Sequence, residues 1–216
     1  MRCLSRTARP GVSAPNCVVC LPGAYQVPED FLAAGFDAGV RERALPIDLL
    51  FVDVEMQHVG DRRFRERLKR EIVVPARASG CRFLWFAGIS LGGFVALDYA
   101  ASHPGDLDGL CLLAPYLGSR IITAEIAQAS GVAAWSPGEL ARDDEERRIW
   151  RFLQDQGRDP RSLYLGYGRE DRFAAAQGLL AQSLPSDAVD VVPGGHDWRT
   201  WTALWGNFLD SRFACA

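Results

Sequence analysis

The residues of this chain best suited to covalent chemistry are a serine, a histidine and a carboxylate, each just after an apolar, strand-like run. Ser90 stands in Gly88-Ile89-Ser90-Leu91-Gly92-Gly93, between the run Cys81–Ala87 and a helix-forming stretch over 91–103. Glycines flanking a serine at a strand-to-helix turn let the backbone turn sharply and hold the hydroxyl outward in a strained conformation. A serine hydroxyl is a weak nucleophile unless a neighbouring base takes its proton. The chain offers three histidines. His103 closes the helix that Ser90 opens, and at about 1.5 Å per residue it lies roughly 20 Å away, at the wrong edge of a sheet. His58 follows the run 48–54 in a polar loop with no orienting partner. His196, in Pro193-Gly-Gly-His-Asp-Trp198 directly after the last strand-like run, falls at the same edge as Ser90 and is the expected base.

The imidazole needs a carboxylate to fix its tautomer and stabilise its charged form. Glu170 and Asp171, in Gly166-Tyr-Gly-Arg-Glu-Asp171, are both candidates. Asp197 is adjacent to His196, and neighbouring side chains in an extended segment diverge. A tetrahedral intermediate would also need N–H donors for its oxyanion. The backbone N–H of Leu91 is one. The loop Leu21-Pro-Gly-Ala-Tyr25 supplies the other, with Ala24 first and Tyr25 second.

These residues require elements to position them. Six apolar runs (Cys17–Leu21, Asp48–Val54, Cys81–Ala87, Gly109–Ala114, Ser162–Gly166 and Ala188–Val192) alternate with helix-like stretches, among them one from Pro28 and one over Arg62–Ser79. Such alternation predicts an α/β fold, a mostly parallel sheet with helices on both faces. Between the fourth and fifth runs, 117–156 is about twice what one crossover helix needs. It is read as a small helical insertion, either two covering helices or a cap over the sheet edge where ligands bind. Trp135 in that insertion, Tyr25, and Trp198 beside His196 are the expected substrate-contacting aromatics.

The bulk numbers narrow the function classes. A chain of 216 residues, 48% hydrophobic and 24% charged, is sized for one domain and has ordinary globular composition. A net charge of −3 argues against a nucleic-acid partner, and no apolar run is long enough to span a bilayer. Residues 1–16 lack the apolar core of a secretory signal and read as a flexible N-terminal segment before a domain over 17–216. Four of the six cysteines fall in or beside strand-like runs, as small buried hydrophobes. Cys17-Val-Val-Cys20 has redox or metal spacing, but it lies within a strand and has no second Cys/His pair. A metal-free protein in the reducing cytoplasm is expected, with no claim on oligomeric state.

Together, Leu21-Pro22-Gly23, Gly88-x-Ser90-x-Gly92-Gly93, His103-Pro104 followed by Gly109 to Pro115, Gly168-Arg-Glu-Asp171 and His196 resemble the landmarks of the α/β-hydrolase superfamily, over roughly Cys17 to Phe213. The family pattern Gly-x-x-Asp places the acid on Asp171 rather than Glu170, in the chain order Ser90, Asp171, His196. The ending Gly194-Gly-His196-Asp197-Trp198 with Trp201 is similar to the branch of esterase D, feruloyl esterases and enterochelin-esterase-like enzymes, although this chain is shorter and has no His before Gly23. The resemblance implies hydrolysis of a small-molecule carboxylic ester or thioester through an acyl-serine, without a cofactor. Acyl transfer to another acceptor and a non-catalytic, hydrolase-like binding protein are the alternatives.

Overall fold

The computed structural model describes residues 1–55, 59–141, 143–156 and 162–213. Within them, strands β1 (Cys3–Arg6), β2 (Asn16–Leu21), β3 (Ile47–Val52), β4 (Phe83–Ile89), β5 (Gly109–Leu113), β6 (Leu163–Gly168) and β7 (Val189–Val192) form one sheet in the order β1-β3-β2-β4-β5-β6-β7. All neighbours are parallel except β1, which pairs antiparallel with β3 through Cys3↔Val52 to Arg6↔Leu49.

The alternation of side chains along each strand builds a core on each face of the sheet. Cys17, Val19 and Leu21 of β2 join Leu84 and Phe86 of β4 on one face. Val18 and Cys20 join Trp85, Ala87 and Ile89 on the other. The first face is covered by α3 (Arg62–Leu68), α4 (Val74–Ala78), α5 (Leu91–Ser102), α6 (Arg120–Gln128), α7 (Glu145–Gln156) and α8 (Ala174–Ala181). The second is covered by α1 (Pro28–Ala33), α2 (Phe36–Glu42) and α9 (Trp198–Phe213). Leu204, Trp205, Phe208 and Leu209 of α9 are buried, each contributing about 1.5–3 kcal/mol of apolar transfer. A π-helical turn over Lys69–Val73 joins α3 to α4. Pro75 follows it and has no N–H to donate to the preceding turn, a recognised cause of such irregularity.

Two expectations are corrected by this architecture. Residues 1–16 are not simply a flexible leader, because Cys3–Arg6 is a paired edge strand. The loop after it is also fixed, since Asp48 of β3 accepts from Ala8 N at 2.8 Å and from Ala14 N at 2.9 Å. Trp135 is not a substrate-facing aromatic. It is only 3% exposed, belongs to the core on the α5 side of the sheet, and donates its indole N–H to Glu125 at 2.8 Å.

After β5, the stretch 117–156 contributes α6 and α7 to that core. Ile122, Ile126, Ile149, Trp150 and Leu153 are buried in it, and Trp150 Nε1 donates to Leu117 O at 2.8 Å. A buried ion cluster fastens α7 to α5. Asp98 of α5 accepts from Arg65 at 2.7 Å and from Arg148 at 2.6 Å, and its side chain is 3% exposed. A carboxylate so far from water is stable only because two guanidiniums compensate its lost hydration.

Candidate active site

Ser90 leaves β4 and begins α5 at φ 50°, ψ −113°. This is a left-handed φ that costs a residue with a Cβ on the order of 1–3 kcal/mol. The surroundings hold it there: Ser90 N donates to Leu113 O at 3.0 Å, while Ser90 O accepts from Gly93 N at 3.0 Å and Tyr116 N at 2.9 Å. The flanking glycines are required by space. A Cβ on Gly88 would lie 2.3 Å from Gly92 O, and one on Gly92 would lie 2.1 Å from Leu21 O.

His196 arrives on the loop between β7 and α9. That loop crosses the end of β6 so closely that a Cβ on Gly168 would lie 2.1 Å from Gly194 O. Its Nε2 is 2.9 Å from Ser90 Oγ, and its Nδ1 is 2.7 Å from Asp171 Oδ2. Asp171 is just past the end of β6, and its side chain has no solvent exposure. Its other oxygen accepts from Phe173 N at 2.8 Å, so the carboxylate cannot turn away from the ring. Phe173 and Trp201 meet the imidazole edge-to-face from two directions, with centroids at 5.2 and 5.1 Å. Neither was singled out by sequence reasoning as a wall of the site. Proximity in sequence to Asp171 and His196 was the available signal.

The competing groups are occupied elsewhere. Glu170 accepts from Gly194 N at 2.6 Å and so braces the loop that carries His196. Asp197 caps α9, accepting from Thr200 N at 2.9 Å and Thr200 Oγ1 at 3.0 Å. Those bonds hold its carboxyl below the usual range. His103 stacks on Tyr99 at 4.6 Å and lies 3.6 Å from Glu66, at the far end of α5 from Ser90. His58 lies outside the described residues. Cys17 and Cys20 belong to cores on opposite faces of the sheet, which rules out a redox pair between them, and burial pushes the Cys20 thiol up.

The expected oxyanion donors sit around Ser90. The N–H of Leu91 begins α5, where a helix has no internal acceptor for it. In the loop after β2, the site where a Gly23 Cβ would stand is 3.4 Å from Ser90 Cβ, which brings this loop against Ser90. Gly23 N is taken by Gln26 Oε1 at 2.8 Å, and Gln26 N returns to Gly23 O at 3.2 Å. This closed turn, a feature sequence reasoning missed, leaves the N–H groups of Ala24 and Tyr25 without an acceptor among the described residues. Tyr25 has φ 63° and is 91% exposed. Trp198 is half-buried and packs edge-to-face on Trp201, Phe31 and Phe36. It therefore stands one ring away from His196 instead of against it.

A groove of about 650 Å³ borders Phe94 and Tyr116, which pack 5.7 Å apart next to the Ser90 turn. Its opposite side is Ala141 and Asp143 to Arg147, leading into α7. Tyr116 also meets Phe173 at 5.6 Å, so the groove and the wall around His196 share aromatic contacts.

The seven-stranded, mostly parallel sheet with its covering helices has many structural counterparts. FphF of Staphylococcus aureus, a fluorophosphonate-binding serine hydrolase, superposes with a TM-score of 0.65 at 12% identity, over 92% of this chain and 83% of that one. Est1E of Butyrivibrio proteoclasticus does so with a TM-score of 0.64 at 12% identity, over 97% and 93%. The chain has the α/β-hydrolase fold. A further match is a predicted CIB-like hydrolase from Thermoplasma acidophilum, with TM-score 0.60 and 15% identity over 96% and 92%. In sequence, the chain is 38% identical over 111 residues to a pimeloyl-[acyl-carrier protein] methyl ester esterase of Edwardsiella ictaluri. That stretch is 50% of this chain and spans about two fifths (39%) of the relative's length. No family model matches the chain.

Proposed function

We propose that this protein is a serine hydrolase that cleaves a small-molecule carboxylic ester or thioester through an acyl-serine intermediate. The observation that carries the reading is the unbroken line from Ser90 Oγ through the His196 ring to the solvent-free Asp171 carboxylate. His196 Nε2 takes the Ser90 proton as Oγ attacks the acyl carbon, and Asp171 holds Nδ1–H and stabilises the imidazolium that forms. The developing oxyanion is received by the N–H groups of Leu91 and Ala24, with Tyr25 as the loop's second donor. His196 then gives its proton to the leaving alcohol or thiol. Water enters the vacated space, and the same imidazole activates it to release the acid.

The similar proteins support ester hydrolysis: serine hydrolases and esterases recur among the similar structures, and the relative in sequence is a methyl ester esterase. We read residues 17–216 as one catalytic unit, with β1 (Cys3–Arg6) completing the edge of its sheet. Within it, 117–156 acts as a partial cap whose turn into α7 faces Phe94 and Tyr116 across the substrate groove. Among the described residues no helix is long and apolar enough to cross a membrane. The free thiols of Cys3, Cys17, Cys20, Cys81 and Cys111 suit a reducing cytoplasm.

A chain-length series of p-nitrophenyl and thioester substrates, run with and without an added alcohol or amine, tests the reading. Hydrolysis to free acid in water is expected. Turnover that requires the acceptor would replace hydrolysis by acyl transfer, and no turnover with any member would overturn both.

A further inference from the structure

A second cavity lies at the end of the sheet opposite the catalytic edge. It is a cavity of about 510 Å³ between the β1–β2 loop, α2 and the start of β3, within the size range of small-molecule sites. Asn16 and Phe83 are in register at this end, and β4 runs from Phe83 to the residue before Ser90. At about 3.3 Å per residue, this puts the cavity roughly 20 Å from the nucleophile.

The loop over the cavity is a fixed arch. Its two feet, Ala8 N and Ala14 N, are held by the two oxygens of the single Asp48 carboxylate, and Arg9 pairs with Val12 across the tip. A loop tied this way cannot collapse to fill the space beneath it. The floor is apolar, made of the buried Val40, Leu45, Ile47 and Leu49.

The charged lining is Arg6, Arg9 and Arg41 against Asp37 alone. Asp37 is 3.6 Å from Arg41 and 4.0 Å from Arg6, a loose arrangement that leaves a net surplus of positive charge at the mouth. An apolar floor below a cationic rim favours a molecule with an apolar body and an anionic head. Cationic ligands meet repulsion at the rim, and a fully polar anion would gain nothing from the floor.

We propose that this cavity is a second ligand site, separate from the catalytic one, for a medium-chain carboxylate. The alkyl chain lies on Val40, Leu45, Ile47 and Leu49, and the carboxylate meets the guanidiniums of Arg9 and Arg41.

Calorimetric titration with octanoate, octan-1-ol and octylammonium tests it, on the wild type and on the double variant Arg9→Gln/Arg41→Gln. Both arginines are exposed, so the variant keeps its fold and its ester turnover. The expected result is saturable octanoate binding to the wild type that is tighter than octanol binding, with none for octylammonium. Octanoate binding should weaken by about tenfold or more in the variant, from the loss of charge-assisted hydrogen bonds. Absence of saturable octanoate binding overturns the proposal. So does equal binding of octanol, or full retention in the variant, which would locate the ligand elsewhere.

Discussion

Replacing Asp171 by asparagine changes one atom of the carboxylate and leaves its shape. Asp171 Oδ1 accepts from Phe173 N at 2.8 Å and Oδ2 faces His196 Nδ1 at 2.7 Å. The asparagine oxygen can keep the Phe173 bond, which turns its NH2 toward the ring. Nδ1 must then become an acceptor, so the proton moves to Nε2 and faces Ser90 Oγ. The imidazole thereby loses the lone pair that would take the serine proton. Loss of the correct tautomer in a Ser-His-Asp arrangement costs about 10⁴-fold in kcat, equivalent to about 5.5 kcal/mol of barrier. KM should stay near its wild-type value, because no substrate-binding group is altered.

Glu170→Gln is the matched control. Its amide oxygen can still accept from Gly194 N, so only the charged character of one hydrogen bond is lost, about 1 kcal/mol or roughly fivefold. Steady-state kinetics on a p-nitrophenyl ester at pH 8 separates the two. Near-normal kcat for Asp171→Asn together with collapse in Glu170→Gln would refute this reasoning and move the acid to Glu170.

Other substitutions follow from the same contacts. Asp98→Asn removes the buried carboxylate that Arg65 and Arg148 share, leaving Glu145 at 3.8 Å as a looser contact of Arg148, and should cost about 3–5 kcal/mol in urea unfolding; a loss below about 1 kcal/mol would show that the cluster is solvated. Gln26→Ala releases the Gly23 amide and loosens the oxyanion loop. It should lower kcat roughly fivefold at unchanged KM, with Gln26→Glu restoring most of it through the same acceptor oxygen; a change confined to KM would contradict that role. Glu125 is held below the usual carboxylate range by its bond to Arg147, then by Trp135 Nε1. Its contribution is therefore full above the unfolded pKa of about 4.3 and is lost as pH falls through the lower folded value. Urea midpoints should drop less steeply below pH 4.5 for Glu125→Gln than for the wild type, and parallel curves would count against it.

The features readable in the sequence were those set by local rules. Gly88-x-Ser90-x-Gly92 forces its own turn, because each glycine faces backbone that a Cβ would strike. The ends of parallel strands all lie along one edge, so residues after the runs ending near 89, 168 and 192 converge without further information. β1 escaped notice because Cys3–Arg6 is four residues with no apolar alternation, and its pairing with β3 decides its structure. Trp135 was misread because a tryptophan in an amphipathic stretch serves a core or a pocket equally well; the partner for its indole N–H, Glu125, comes from a helix ten residues away. Gln26 and Phe173 act through contacts that no spacing rule encodes.

The central claim is that Ser90 is the nucleophile and His196 its base. It is tested most directly by reacting the protein with a fluorophosphonate and locating the adduct by peptide mass spectrometry. One adduct is expected, on Ser90, formed rapidly by the wild type, slowed by on the order of 10³-fold or more in His196→Ala, and absent from Ser90→Ala. An adduct on another residue, or equal labelling of Ser90→Ala, would contradict it.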